Sequence, residues 1–228
     1  MPEDYYQNTL YPLQDKVLKF IGELPVEFYL GGGTALSRGY LRHRYSDDLD
    51  FFVNGDPNFK PQVNTIIEEL SYSGLQGETS VADYGFARLF IMEGDCVLKL
   101  DFINDVPFRR GIVSETSIFP RTDNIFNILS NKITALGRYA ARDVVDIIYI
   151  CEATPFNWQS IFRDASEKDV WINPVHAAQI LEQFPIEKLD GIAWIGTPPT
   201  AEWFKQRIDR IIPDILNGAD NSLSSVKF

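Results

Sequence analysis

Asp48-Leu49-Asp50-Phe51-Phe52-Val53 is the stretch from which the rest of the chain can be read. A strand has a two-residue period, so Asp48 and Asp50 project from one face while Leu49, Phe51 and Val53 turn to the other, toward a core. Asn54-Gly55-Asp56-Pro57 ends the strand. Two carboxylates side by side on a rigid face repel each other unless a cation lies between them. Hard oxygen ligands of this kind suit Mg²⁺ or Mn²⁺, above all when phosphate oxygens complete the shell. The plainer alternative is a solvated turn with surface acids, since a short Asp-x-Asp motif is common. The segment is not an EF-hand loop, because Phe52 stands at the third ligand position and Val53 where glycine is required.

Working outward, the segments around this strand alternate between sheet and helix. Residues 12–24 predict a helix from the spacing of Leu13, Val17, Phe20 and Ile21, stopped by Pro25. Val26 to Leu30 predicts a strand. Gly31-Gly32-Gly33 breaks it, and Thr34 is placed to cap a following helix. Pro61 to Tyr72 predicts a helix with Val63, Ile66, Ile67 and Leu70 inward, and residues 78–105 predict two strands, Phe86–Met92 and Val97–Ile103, around Glu93-Gly94-Asp95. In the second of these Asp101 lies opposite the apolar face of Leu98, Leu100 and Phe102, beside Lys99. If the strand neighbours Asp48 and Asp50, Asp101 becomes a third metal ligand; otherwise it is a surface acid paired with Lys99. Three such carboxylates can hold two divalent ions that activate an attacking oxygen and stabilise a leaving one.

After about residue 119 the pattern turns helical, over roughly 123–137, 141–152, 157–168, 174–183 and 200–216, punctuated by prolines that include Pro213. The expected division is therefore an α/β core over 1–118 and a mainly helical part over 119–228, with an Asn/Ser-rich tail from Gly218 expected to fray. In the helix 123–137, Ile125, Leu129, Lys132 and Leu136 share a face, which puts a cation on an apolar stripe. It either snorkels or points into a cleft where phosphate charge develops. On the next helix Asp143 and Asp146 share a face that continues as Ile147 and Ile150; a salt bridge to Lys132 or Arg138 is the structural alternative to a functional role. Gly31 to Thr34 can bring backbone N–H groups to an anion or can be only a tight turn. Arg44 and Ser46 can contact a triphosphate or serve as surface charge and turn cap.

Composition bounds the partners. With 21 Lys+Arg against 32 Asp+Glu, the net charge of −11 argues against a protein that grips a long nucleic-acid backbone. Any such contact is local, and Arg121 to Arg142, with four basic residues and one acid, is the stretch for it. No run of apolar residues is long enough to span a membrane. The polar, acidic start Met1-Pro2-Glu3-Asp4 is unlike a secretory signal, so the expected location is the cytoplasm. Cys96 and Cys151 are too few and too distant for a disulfide framework or a Cys-based zinc site, and read as buried small apolar residues.

Taken together, Gly32-Gly33-Thr34-Ala35-Leu36, Arg44-Tyr45-Ser46-Asp47-Asp48-Leu49-Asp50-Phe51, Lys132-Ile133-Thr134-Ala135-Leu136 and Arg142-Asp143-Val144-Val145-Asp146 resemble the AbiEii/AbiGii-type nucleotidyltransferase toxins of the DNA polymerase β-like superfamily. The ordered blocks cover about 26–150. Within residues 151–228 no further block of the resemblance is recognised. The resemblance implies an α+β fold, with a mixed sheet and flanking helices followed by a helical C-terminal domain. It implies an NTP donor, Mg²⁺ (or Mn²⁺), and nucleotidyl transfer to an acceptor for which tRNA is a candidate, with a cognate antitoxin as partner. It places Gly32, Gly33, Thr34, Arg44 and Ser46 along the triphosphate, Asp48 and Asp50 on metal with Asp101 as the third carboxylate, and Lys132 on the phosphates. Asp143 and Asp146 complete the C-terminal motif, with Asp146 counted among the catalytic residues. Arg142 departs from the pattern, where lysine is frequent. Two other readings stay open: a nucleotide-binding or interaction module that no longer reacts, and a small-molecule nucleotidyltransferase of the aminoglycoside-modifying kind.

Overall fold

The structure, a computed structural model, describes residues 2–224. The chain falls into two compact units, Met1–Asn124 and Ile125–Phe228. The first runs past residue 118 because its last segment is stitched to the sheet: Leu30 N donates to Arg121 O and Asp123 N to Leu30 O, both at 2.8 Å. The Arg121 Nε–H adds a bond to Phe28 O at 2.9 Å.

The first unit contains helices α1 (Pro2–Tyr5), α2 (Tyr11–Glu23), α3 (Gly32–Leu36) and α4 (Phe59–Tyr72), with π-helical turns at Tyr6–Leu10 and Ser37–Leu41. Its strands are β1 (Tyr29–Gly31), β2 (Leu49–Asn54), β3 (Gln76–Ala82), β4 (Phe86–Glu93) and β5 (Cys96–Asp105). They form a five-stranded sheet ordered β1-β2-β5-β4-β3. The β2–β5 pair is parallel, with Asp50 opposite Asp101, and the other pairs are antiparallel. On one face Leu49, Phe51, Leu100 and Phe102 are at most 1% exposed, so apolar burial holds the register, since a one-residue slip would bring Asp50 into that core.

Three local expectations change. Strand β3 lies in a stretch read as having no strand before Phe86; all seven of its residues are exposed, so no apolar alternation announced it. Only residues 29–31 of the strand expected over 26–30 enter the ladder, although Val26 and Phe28 are buried ahead of it. Thr34 is inside α3 rather than capping it; its hydroxyl donates to Asp48 O at 2.5 Å.

The second unit is built from α5 (Ile125–Ala135), α6 (Ala141–Ala153), α7 (Trp158–Ser166), α8 (Pro174–Glu182) and α9 (Ala201–Asn217), with 3-10 turns at Leu136–Arg138 and Ile186–Gly191. Side-chain caps start three of these helices: Asn157 accepts from Ser160 N, Asn173 from His176 N and Thr200 from Trp203 N. Pro213 does not interrupt α9. It lies on the exposed side, as does Asp209, whose carbonyl loses the bond that Pro213 cannot donate, so water can take its place. Nor does the chain fray at Gly218. Trp158 N donates to Ala219 O at 2.9 Å, Asn221 N to Phe156 O at 2.8 Å, and Asn221 Nδ2 to Cys151 O at 2.7 Å. Residues 225–228 lie outside the described residues. Cys96 and Cys151 are buried free thiols, and burial pushes Cys151 well above its ordinary pKa. No helix among the described residues is long and apolar enough to cross a membrane.

Candidate active site

The face of the sheet opposite the core carries the acids. Asp50 and Asp101 are cross-strand partners, and Asp48 lies two residues before Asp50. Two basic side chains stand among them. Lys99 Nζ is 2.8 Å from Asp48 Oδ2 and 3.6 Å from Asp101 Oδ2. Arg88 donates from Nε and Nη2 to the two oxygens of Asp101, at 2.7 and 2.8 Å, in the planar two-bond geometry that only a guanidinium offers. Burial by itself lowers the pKa of Lys99, but the hydrogen bond and charge of Asp48, with the charges of Asp101 and Asp50, outweigh it and leave it raised. The bond to Asp101 raises that of Arg88.

The glycines meet this face directly. Gly32 has φ +63°, a conformation that L side chains rarely adopt, and a Cβ there would stand 2.2 Å from Asp50 Oδ2. A Cβ on Gly33 would stand 2.6 Å from Arg44 Nη2 and 3.1 Å from Ser46 Oγ. The two motifs of the sequence are therefore one structure: bare backbone is pressed against an acid on one side and against Arg44 and Ser46 on the other. Arg44 is 2% exposed and donates from Nη1 to Tyr45 O at 2.9 Å. The Ser37 hydroxyl donates to Arg44 O.

Apart from a single β-bridge at Arg44, the segment 44–48 lies outside the sheet and is held by residues that the sequence reading did not single out. Gln14, fully buried on α2, donates to Ser46 O and Asp47 O at 3.0 Å each. Tyr11 OH accepts from Ser46 N at 3.3 Å. Tyr6 OH donates to Asp47 Oδ1 at 2.5 Å while its ring stacks on Tyr45 at 4.2 Å. Burial, reinforced by Asp47, pushes the Tyr6 phenol above its usual pKa. Gln14 had a signal, a polar residue beside Leu13 and Val17 at the start of an apolar stripe. Arg88 had one too, a cation between Ala87 and Leu89 in an alternating strand.

In the second unit Lys132 Nζ lies 2.7 Å from Asp143 Oδ1 and 2.8 Å from Asp146 Oδ2, and Arg138 Nη2 is 3.3 Å from Asp143 Oδ2. Lys132 neither snorkels nor stands alone on its apolar stripe. Its cation is matched by the two acids that α6 presents at i and i+3. Arg121, Lys132 and Arg138 thus have partners within their own units, and Arg142 is exposed.

Among the described residues no three His, Cys, Asp or Glu side chains are arranged to hold a metal ion by themselves. The donor set still fits Mg²⁺ bound jointly with a substrate. Asp48 and Asp50 are hard oxygen donors on one face, and the ammonium of Lys99 beside Asp48 marks a place that calls for positive charge. Both oxygens of Asp101 are taken up by Arg88, so its part in such a site requires that pair to open.

Residues 21–200 match the model of a family described as nucleotidyl transferase AbiEii toxin, type IV TA system. A comparison with curated proteins finds no match. Among solved structures the chain is similar to JHP933 from Helicobacter pylori, with 19% identity, TM-score 0.62, and coverage of 91% of this chain and 90% of that one. A candidate nucleotidyltransferase from H. pylori is similar at 19% identity and TM-score 0.61, covering 91% of this chain and 93% of that one. At this identity the two establish a shared fold.

Proposed function

Because this chain belongs to the nucleotidyl transferase AbiEii toxin family of type IV toxin–antitoxin systems, we propose that it transfers a nucleotidyl group from an NTP to an RNA acceptor, with Mg²⁺ (or Mn²⁺) held by Asp48 and Asp50. The observation that carries the reading is the close approach of the Gly32 and Gly33 backbone to Asp50, Arg44 and Ser46, which sets bare backbone beside an acid, a guanidinium and a hydroxyl. A triphosphate laid along this backbone is assigned to Arg44 and Ser46 at its β and γ phosphates, which requires those two buried side chains to be uncovered, and to the acids at its α phosphate. The acceptor hydroxyl forms a bond to the α phosphorus and gives its proton to water. The bond from that phosphorus to the bridging oxygen breaks, and pyrophosphate leaves. Asp48 and Asp50 would hold the metal, which would supply charge neutralisation at the α phosphate and acidify the attacking hydroxyl. Lys99 neutralises Asp48 when the substrate is absent. tRNA is the first acceptor to test, in the cytoplasm where it and NTPs are found, and the type IV family points to an antitoxin as the regulatory partner.

Labelled NTP incubated with total RNA or purified tRNA, with and without Mg²⁺, tests this. Asp48→Asn and Asp50→Asn should each lower transfer on the order of a thousandfold, as loss of several kcal/mol of charge stabilisation requires, without loss of the folded state. Transfer at the wild-type rate by either variant would sink the metal reading. NTP binding with no pyrophosphate release under any acceptor would instead indicate a silent module, and label on an aminoglycoside but not on RNA would indicate a small-molecule enzyme.

A further inference from the structure

Beside the acids the sheet carries a second row of side chains that the chemistry above does not use. One row across four strands is Gly31, Asp50, Asp101 and Arg88; the next, two residues farther along β2, is Tyr29, Phe52, Ile103 and Phe86. Phe52, Ile103 and Phe86 are only half-buried, on the same face as the acids. The Phe52 ring is braced rather than loose. It lies over Gly31, 2.7 Å from where a Cβ would stand, and Tyr29 stacks beside it at 5.9 Å with 23° between the rings. Tyr29 is itself tied down by its hydroxyl, which donates to Asn54 Oδ1 at 2.8 Å. A guanidinium lies near each end of the row: Arg109 over the Tyr29 ring at 5.2 Å and Arg88 over the Phe86 ring at 5.3 Å. Both guanidiniums are already paired, Arg88 with Asp101 and Arg109 with Asp123 at 3.6 Å, so what the row offers a nucleotide is a flat aromatic surface for its base.

Resting on the nucleotidyltransferase reading, we infer that Phe52 is the platform on which the terminal base of the RNA acceptor stacks. In-line displacement decides between donor and acceptor. The leaving pyrophosphate and the attacking hydroxyl must lie on opposite sides of the α phosphorus. Along Gly31, Gly32 and Gly33 the nearest side chains are in turn Phe52, Asp50, and Arg44 with Ser46, so Phe52 and the leaving side flank Asp50 from opposite directions. The two-residue step from Asp50 to Phe52 spans about 6.6 Å of strand. A base on Phe52 is thus adjacent to the acids, on the side from which the acceptor must come.

The test measures binding of a fluorescently labelled, short single-stranded RNA with a free 3′ hydroxyl by anisotropy, binding of NTP by calorimetry, and transfer kinetics. Phe52→Ala and Phe52→Leu should weaken RNA binding and raise the KM for RNA roughly tenfold to a hundredfold, the scale of one lost base–aromatic stack, with the KM for NTP unchanged. Phe52→Trp should retain both. The leucine keeps an apolar side chain on the sheet, so its loss separates stacking from folding, which the thermal midpoint monitors. Wild-type RNA binding by Phe52→Leu would overturn the inference, as would a rise in the KM for NTP alone, which would place the donor base there. Asp48→Asn should bind RNA normally, so the platform can fail or stand independently of the transfer chemistry.

Discussion

Lys99 and Asp48 meet at 2.8 Å in the first unit with side chains 28% and 27% exposed, and Lys132 and Asp146 meet at the same 2.8 Å in the second with Asp146 at 0%. Distance does not distinguish these pairs; solvent does. A half-exposed lysine–carboxylate pair is worth less than about 1 kcal/mol and exchanges partners readily. That is what a substrate-binding face needs if phosphate and metal are to displace the lysine. A buried lysine held by two acids cannot exchange without leaving a charge stranded in low dielectric. The same residue types therefore make an adaptable surface in one unit and a fixed strut in the other.

The sharpest way to break that contrast is to remove one acid from each. Asp146→Ala should destabilise the second unit by about 3–5 kcal/mol, because Lys132 loses a buried counter-charge, and the loss will show in the denaturant midpoint. Asp48→Asn should shift that midpoint little while abolishing transfer. Equal stability losses from the two would show that exposure does not set the difference.

A smaller effect separates backbone strain from contact. Gly32 (φ +63°) and Gly74 (φ +79°) both have left-handed backbone, but a Cβ at Gly74 would meet nothing within 4 Å. Each change to Ala should cost about 1–2 kcal/mol. Only Gly32→Ala, which drives a methyl group into Asp50, should also cost activity, by tenfold or more. Loss of activity in Gly74→Ala would mean that the strain alone is responsible.

The smallest effect is alkaline. Lys99 has a folded-state pKa above its ordinary 10.5. A group raised in this way stabilises the folded state fully below its unfolded value and loses that contribution as pH rises through the folded one. Urea midpoints should therefore fall above about pH 10, and Lys99→Gln should flatten that fall. Burial raises Tyr6 and Tyr29 in the same direction, so a slope will remain in the variant.

Much of the architecture could be read from spacing alone. Asp48 and Asp50 alternate against Leu49, Phe51 and Val53, and apolar burial enforces that alternation. The helices of the second unit lie where their apolar periodicity and caps put them. Strand β3 could not be read, because an exposed edge strand buries nothing and so carries no pattern. The tail from Gly218 could not be read either, because Asn221 is held by carbonyls of Cys151 and Thr154, far away in sequence. At the candidate site the acids, glycines and Ser46 stood out as motifs. Gln14, Arg88 and the Phe52–Ile103–Phe86 row did not, since each takes its meaning from a cross-strand or cross-element neighbour.

By itself the sequence determined which residues face a core and which stretches carry paired acids or bare backbone, because periodicity and residue chemistry are local. Tertiary structure decided which charge meets which. It gave Asp101 to Arg88, left Asp48 to an exchangeable lysine, and sealed Lys132 between Asp143 and Asp146. Strand order, register and burial set those partnerships, and electrostatic strength depends on the surrounding dielectric that only the packed fold creates.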